Sequence, residues 1–145
     1  MRSQQILIVC DELETRIFLS NLLRSSGFSA MEADDETAGM RLAETERPAL
    51  ILLDMMLPRE GGLVMYRFLK QHDRLRRIPV VILTAIDPER FFTFRHLEGR
   101  ASDHALPYPE ASLEKPIETD RLLRLVRKLT RLRTRRPPKQ PRQEI

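Results

Sequence analysis

The stretch Leu50–Leu57 reads Leu-Ile-Leu-Leu-Asp-Met-Met-Leu and places one carboxylate, Asp54, directly after four apolar residues. Such an apolar run is typical of a strand buried on both faces, as in a parallel sheet covered by helices. Sheets of this kind bind ligands at the carboxyl ends of their strands. Asp54 therefore lies at a ligand-binding edge or, as the common alternative, at a helix N-cap or in a loop.

The length and the cysteine content of the chain narrow its class. The 145 residues suffice for one domain with its own core. The single cysteine, Cys10, lies in an apolar run, which excludes a disulfide framework and predicts a reducing, cytoplasmic location. The sequence shows no signal peptide and no apolar run of transmembrane length, so we expect no membrane association.

Charge is distributed unevenly along the chain. Residues 1–120 contain 15 Lys and Arg against 20 Asp and Glu, whereas residues 121–145 contain 10 Lys and Arg against one Glu. The net charge therefore changes from −5 to +9. An exposed basic helix face is commonly just solvated, and its alternative is contact with a phosphate backbone or an acidic partner. Nucleic acid is thus an expected partner only through the basic end.

Alternating apolar and polar segments predict five strands and five helices in one α/β domain with a parallel sheet. The predicted strands are 5–10, 28–33, 49–54, 78–83 and 111–114. The predicted helices are 14–25, from caps at 34 and 35 to about 46, 63–72, from 88 to about 97, and 118–133. The domain is expected to span residues 1–133, followed by a flexible basic tail at 134–145 that contains three prolines.

Two further features of the sequence concern the first helix and the start of the third helix. In the first helix, one helical stripe is predicted to run near Ile17, Phe18, Asn21, Leu22 and Leu23. Pro58 and the pair at 61–62, both Gly, predict a loop before the third helix.

Polar side chains follow the ends of four predicted strands. Asp11 and Glu12 follow the first, Asp54 closes the third, Thr84 follows the fourth and Lys115 follows the fifth. Because parallel strands end at one edge, these groups are expected around one crevice, where close carboxylates and hard oxygen ligands suit Mg²⁺. A carboxylate beside a metal and an ammonium can attack phosphorus, so the sequence predicts a phosphoacceptor site.

Four separated motifs resemble the receiver domain of bacterial two-component response regulators, which has a flavodoxin-like fold. The motifs are Ile6-Leu-Ile-Val-Cys-Asp-Glu, Leu53-Asp-Met-Met-Leu-Pro with Gly62, Val80-Val-Ile-Leu-Thr-Ala, and Leu113-Glu-Lys-Pro. The resemblance covers residues 5 to about 132. It implies a doubly wound five-stranded sheet in the order 2-1-3-4-5 with five helices.

The resemblance assigns a role to each group that would handle phosphate. Asp54 matches the phosphoacceptor, and Thr84 matches the switch hydroxyl that moves to bond the phosphoryl group. Lys115 matches the ammonium that pairs with that group, and the bond Lys115-Pro116 is usually cis in the family.

The resemblance also implies a Mg²⁺ site. The implied ligands are the carboxylates of Asp11 and Asp54 and the backbone carbonyl of Met56, with Glu12 as a further candidate. The sequence departs from the family at Cys10, where the first of two adjacent acids is usual, and this predicts weaker Mg²⁺ binding. No His lies at ligand spacing for a softer metal, so Cys10 is interpreted as a core thiol.

A second departure lies between Thr84 and Lys115, a segment about nine residues longer than is usual in the family, with the extra length at 100–110. Ser112 stands where the family usually carries an aromatic ring that swings inward on activation, and Tyr108 or His104 could substitute for it. Many receivers signal and dimerise through this face. The route of output and the formation of a homodimer are therefore left open.

The expected function is that of a single-domain response regulator. It would accept a phosphoryl group on Asp54 from a histidine kinase or phosphotransfer protein, with Mg²⁺, and change its binding of a downstream target protein. Such a domain is a signalling switch rather than an enzyme, although it catalyses its own phosphorylation and slow dephosphorylation. One alternative is a pseudo-receiver, an interaction scaffold that does not use Asp54. The other is an unrelated α/β phosphatase or phosphotransferase, which would need a general acid where Met56 stands.

Overall fold

The computed structural model describes residues 3–86 and 107–135, with side chains through residue 131. These ranges contain five strands, four α-helices and one 3-10 turn, Pro58–Glu60. The strands are β1 Gln5–Val9, β2 Ser29–Ala33, β3 Leu50–Asp54, β4 Val80–Thr84 and β5 Ala111–Glu114. The helices are α1 Leu13–Ser25, α2 Glu36–Glu46, α3 Gly61–Gln71 and α4 Thr119–Arg135.

The five strands pair in parallel in the order β2-β1-β3-β4-β5. This confirms the predicted fold class and strand order. The predicted fourth helix at 88–97 lies outside the described residues, as does the tail from residue 136. The last helix continues to Arg135, past its predicted end, so the expected boundary at residue 133 falls inside a helix.

Helices cover both faces of the sheet, as the apolar strands require. Alternate residues of β1 point to opposite faces, so Leu7 and Ile8 belong to different buried clusters. The cluster around Leu7 includes Tyr66 and other residues of α2 and α3, whereas the cluster around Ile8 includes Leu19 and other residues of α1 and α4. Each fully buried aliphatic side chain contributes about 1.5–3 kcal/mol to this packing.

The inward face of α1 differs from the predicted stripe. Leu19, Ser20 and Leu23 are buried, whereas Ile17 is 45% exposed and Phe18 is 48% exposed. Apolar residues occur on several faces of this helix, so their periodicity alone does not fix its rotation. The packing against β1 selects the stripe through Leu19 and Leu23.

The predicted loop before α3 is also wrong in part. Gly61 and Gly62 are the first two residues of the helix, and a 3-10 turn with Pro58 at its start precedes them. Arg59 and Glu60 adopt left-handed backbone conformations, with φ of 54° and 58°. The chain direction therefore changes over two residues, and the helix starts close to the end of β3.

Two side chains of α3 hold the segment that returns to β5. The Tyr66 hydroxyl donates to the Pro107 carbonyl over 2.6 Å. The Lys70 ammonium lies 3.5 Å from Glu110 Oε1, which also accepts the Val80 N–H over 2.8 Å. The end of the predicted 100–110 insertion is thus held at the amino-terminal end of β4. Of the two residues that could substitute for the aromatic ring, Tyr108 is 55% exposed and His104 lies outside the described residues.

The Lys70 side chain is deeply buried, and burial lowers its pKa while the hydrogen bond and charge of Glu110 act in the opposite direction. We expect Glu110→Gln to destabilise the fold by about 1–2 kcal/mol. This is less than the loss for a fully buried pair, since the Glu110 side chain is 36% exposed. The amide oxygen of Gln can still accept the Val80 N–H, so the loss reports the charge.

Urea unfolding measures this effect, with Lys70→Met and the double variant completing a double-mutant cycle. The double variant should lose less stability than the sum of the two single variants, because it leaves no unpaired buried cation. Additive losses would show that the two side chains do not interact.

Candidate functional site

Asp54 closes β3 at the carboxyl edge of the sheet, and it is 0% exposed. The ladder continues past it, because the Met55 N–H donates to the Leu83 carbonyl over 2.8 Å. A carboxylate held this far from water requires compensation by donors and positive charge within the protein.

Three donors contact the Asp54 carboxylate. The Met56 N–H donates to Oδ1 over 2.8 Å. The Lys115 ammonium donates to Oδ2 over 2.8 Å, and the Cys10 thiol donates to the same oxygen over 3.3 Å. Since a carboxylate oxygen has two acceptor positions, these contacts fill Oδ2 and leave one position on Oδ1.

Lys115 reaches this site from the end of β5. Its N–H donates to the Thr84 carbonyl over 2.8 Å, and the Lys115-Pro116 bond is cis, as the resemblance implies. Burial lowers the pKa of Lys115, but the hydrogen bond and charge of Asp54, together with Glu12, outweigh this effect and raise it above its usual value. The side chain is therefore a permanent cation beside Asp54 at neutral pH.

Cys10 takes part in the site, which sequence reasoning missed. The residue is fully buried among apolar side chains, as a core thiol would be, yet its Sγ points to Asp54. Burial raises the pKa of Cys10 to about 11, and the charge of Asp54 adds to this effect. The group is thus a neutral thiol that donates a hydrogen bond to Asp54. The sequence feature that could have indicated this role is the position of Cys10, which aligns with the first of the two adjacent acids that the resemblance implies.

Glu12 lies at the open side of the same cluster. Its Oε1 is 3.4 Å from the Lys115 ammonium and accepts the Thr15 hydroxyl over 3.0 Å. Ligand atoms of Cys10, Glu12 and Asp54 all lie within 4.8 Å of one another. Among the described residues this is the only such group of three, and the exposed Asp11 does not belong to it.

The donor set fits a hard divalent cation incompletely. Carboxylate oxygens of Asp54 and Glu12 suit Mg²⁺, whereas a protonated thiol does not. The exposed carboxylate of Asp11 follows Cys10 directly, and the Met56 backbone lies two residues past Asp54. The site therefore offers oxygen ligands for Mg²⁺, but Cys10 places a thiol where the resemblance implies another carboxylate.

Thr84, the last residue of β4, has a fully buried side chain. Its hydroxyl lies 3.6 Å from Met56 Sδ and accepts the Ile86 N–H over 3.2 Å. A thioether is a weak acceptor, so the Ile86 N–H makes the stronger of the two contacts that hold the hydroxyl in this orientation. The structure thus brings Asp54, Lys115 and Glu12 together and places Thr84 beside Met56.

The start of α3 packs directly on the end of β3. A Cβ added at Gly62 would lie 2.7 Å from Met55 Cα and 2.8 Å from the Asp54 carbonyl oxygen. A Cβ added at Gly61 would meet only the end of the Glu36 side chain. Gly62 therefore allows the close approach that fixes the loop after Asp54.

Comparison with known proteins agrees with this geometry. The family model for the response regulator receiver domain matches residues 6–127. The chain belongs to this family. Receiver domains act as signalling switches in two-component systems, and this family assignment confirms the resemblance of the four motifs.

The chain is similar to relatives of different lengths. It is 32% identical to the polar-differentiation response regulator DivK of Brucella anthropi over 86% of this chain and 94% of that protein. It is 38% identical to the phosphate regulon regulator PhoB of Klebsiella pneumoniae over 70% of this chain and 44% of that protein. It is 35% identical to the response regulator PleD of Caulobacter vibrioides over 90% of this chain but only 27% of that protein.

Solved structures show the same architecture. A receiver domain of a histidine kinase from Syntrophus aciditrophicus has a TM-score of 0.77 and 27% identity, covering 93% of this chain and 96% of that one. A receiver domain of a sensor histidine kinase from Pseudomonas aeruginosa, with a magnesium ion in its active-site cleft, has a TM-score of 0.70 and 27% identity, covering 88% and 98%. In the part of the chain that the structure describes, no helix has the length and apolar character needed to cross a membrane.

The contact at Gly62 generates a matched pair of substitutions. Gly62→Ala should destabilise the fold by about 1–3 kcal/mol, because its methyl group must displace the backbone next to Asp54. Gly61→Ala should be neutral or stabilise by up to about 1 kcal/mol, since Glu36 can move and alanine favours the helix. Urea unfolding followed by circular dichroism measures both, and equal effects would contradict the close approach.

The thiol of Cys10 generates a second prediction. Cys10→Asp should raise Mg²⁺ affinity by about tenfold, because it adds a carboxylate beside Asp54 that can orient metal-bound water. It should also lower stability in metal-free buffer, since the added carboxylate and Asp54 repel each other. Calorimetric titration with Mg²⁺ measures the affinity. Cys10→Ser, which changes the group without adding charge, should leave it near the wild-type value.

Proposed function

We propose that the chain accepts a phosphoryl group on Asp54 in a Mg²⁺-dependent reaction, with a histidine kinase or phosphotransfer protein as donor. The observation that supports this most directly is the Asp54 carboxylate itself. It is fully buried, is held by the Lys115 ammonium at 2.8 Å, and closes the central strand of a receiver fold. As a signalling switch, the domain would change its binding of a target protein when it is phosphorylated.

The proposed transfer makes one bond and breaks another. An oxygen of Asp54 attacks phosphorus, the P–O bond forms, and the bond between phosphorus and the donor's imidazole nitrogen breaks, with the electron pair leaving on that nitrogen. Oδ1 retains an acceptor position for the attack, and a position on Oδ2 becomes free for the metal when the Lys115 ammonium moves to a phosphoryl oxygen. The Lys115 ammonium is placed to follow the charge from Oδ2 to a phosphoryl oxygen.

Mg²⁺, when bound, would neutralise charge on the phosphoryl oxygens. In this proposal the carboxylates of Asp54, Asp11 and Glu12 and the backbone carbonyl of Met56 hold it. Thr84 completes the response by turning its hydroxyl from Met56 Sδ to the new phosphoryl group. This movement changes the packing of Met56, which is 43% exposed at the edge of the site.

Exposed apolar side chains near the site support docking of a donor protein. Leu13 follows Glu12 and is 59% exposed, and Ile17 lies one turn further along α1 at 45% exposure. Ile86, two residues past Thr84, is 47% exposed. Such side chains on the rim of a phosphoacceptor site suit a partner that must exclude water while it transfers phosphate.

Three finer points belong to the same proposal. A cytoplasmic location is supported by the single buried thiol of Cys10. Residues 1–133 would act as the receiver, and the basic residues from 134 would form an appendage that begins in the last turn of α4. A homodimer, common in the family, stays a prediction because the face concerned includes residues outside 3–86 and 107–135.

Intact-protein mass after incubation with acetyl phosphate and Mg²⁺ tests the proposal. We expect one phosphoryl adduct on the wild-type chain. We expect none on Asp54→Asn, whose amide is a poor nucleophile, and none after Mg²⁺ is removed with a chelator.

A second experiment distinguishes this function from that of an interaction scaffold. Cys10 favours the scaffold as a candidate, because its thiol replaces an acid of the usual metal site. Cys10→Asp should be labelled faster than wild type at limiting Mg²⁺. No adduct on either chain, under conditions that label an ordinary receiver domain, would overturn the proposal and favour a scaffold that does not use Asp54.

A further inference from the structure

The outer face of α4 carries a continuous row of positive charge. Five side chains on this face are exposed, and we refer to them as the basic stripe: Arg121, Arg124, Arg127, Lys128 and Arg131. Residues 121, 124, 128 and 131 follow the 3-4-3 spacing that places side chains in one line along a helix. At 1.5 Å per residue this line is about 15 Å long.

Four of the five side chains of the stripe lack an acidic partner among the described residues. Within the described ranges, no hydrogen bond or salt bridge occupies the side chains of Arg121, Arg124, Arg127 or Lys128. The acids of α4 and its approach, Glu118 and Asp120, precede the stripe rather than interrupt it. The sequence then continues with basic residues at 133, 135, 136, 139 and 142. The stripe is therefore a surface suited to an extended polyanion.

The apolar side of α4 is already used by the fold. Leu122 and Val126 are fully buried, and Leu123, Leu125 and Leu129 pack on the same cluster as α1. A helix that lies in a membrane interface must present its apolar face to lipid. The apolar face of α4 is not available for this, which argues against a membrane as the partner.

The chemistry of the stripe favours a phosphodiester backbone. Four of its five members are Arg, whose planar guanidinium binds phosphate in a bidentate manner. The helix contains no aromatic residue that could stack on an unpaired base and no Asn or Gln that could read a base edge. A straight, rigid row of cations without these groups suits the regular phosphates of a duplex.

We propose that the basic stripe of α4 binds the phosphate backbone of double-stranded nucleic acid without sequence specificity. The acidic remainder of the chain, with a net charge of −5 over residues 1–120, would turn this one face toward the duplex.

Fluorescence anisotropy with a labelled DNA duplex of about 20 base pairs tests this, with the full chain titrated at salt concentrations between about 50 and 200 mM. The variant replaces Arg121, Arg124 and Lys128 by Gln, which preserves helix propensity. A matched control replaces the exposed Arg41, Arg74 and Arg76 by Gln, which removes the same charge from other parts of the surface.

The expected result is a steep salt dependence for the wild-type chain. The stripe variant should reduce the slope of log K against log salt by about 2–3, at about 0.9 per phosphate contact, and weaken binding at least about tenfold at the lower salt concentrations. The control variant should behave like wild type, and two duplexes of unrelated sequence should bind alike. Circular dichroism establishes that all three chains are folded.

Four outcomes would overturn the proposal. They are absence of binding at the lowest salt, equal losses for the stripe and control variants, tighter binding to vesicles containing phosphatidylglycerol than to the duplex, and salt-sensitive self-association of the chain alone in sedimentation. The third would assign the stripe to a membrane surface, and the fourth would assign it to the acidic body of a second copy.

Discussion

The contact between the buried Asp54 carboxylate and the Lys115 ammonium is the interaction on which the carboxyl edge of the sheet depends. Desolvation of Asp54 would be prohibitive without the cation at 2.8 Å and the two further donors, Met56 N–H and the Cys10 thiol. These donors come from the ends of β1, β3 and β5, so the parallel sheet must be complete before the charge is compensated. Folding and assembly of the site are therefore one process, and the site needs no rearrangement of the backbone to bring its acid and its cation together.

Much of this arrangement follows from the sequence because a parallel sheet imposes it. Predicted strands that end at or just before Asp54, Thr84 and Lys115 indicate one edge, and the strands and their order are as expected. The direction in which individual side chains point is harder to predict from the sequence. Ile17 and Phe18 face outward although they lie near an apolar stripe, since the rotation of α1 is set by packing against β1. Gly61 and Gly62 read as a loop because glycine is a turn residue, yet at Gly62 the missing side chain serves a close approach to β3 within a helix.

Cys10 shows that the chemical role of a side chain is also hard to predict from the sequence. Its position in an apolar run indicates a core residue, and its burial agrees with that interpretation. A thiol is small enough to satisfy both environments, because its carbon side packs like an aliphatic group while its proton reaches Asp54. A carboxylate at the same place would require a metal or a second cation. The chain thus keeps Asp54 compensated in the absence of metal, with a neutral donor at the position where the resemblance to receiver domains implies a second acid.

The short strand β5 connects an ion pair at one edge of the sheet with an ion pair at the other edge. Glu110, directly before the strand, lies against Lys70, and Lys115, directly after it, lies against Asp54. The strand is about 13 Å long, and its hydrogen-bonded pairing with β4 fixes its register. It therefore has an ion pair next to each of its two ends. The Lys70 ammonium also donates to the carbonyls of Arg76 and Ile78, which precede β4. A change that loosened the pairing of β5 with β4 would therefore disturb both ion pairs at once, although they lie at opposite edges of the sheet.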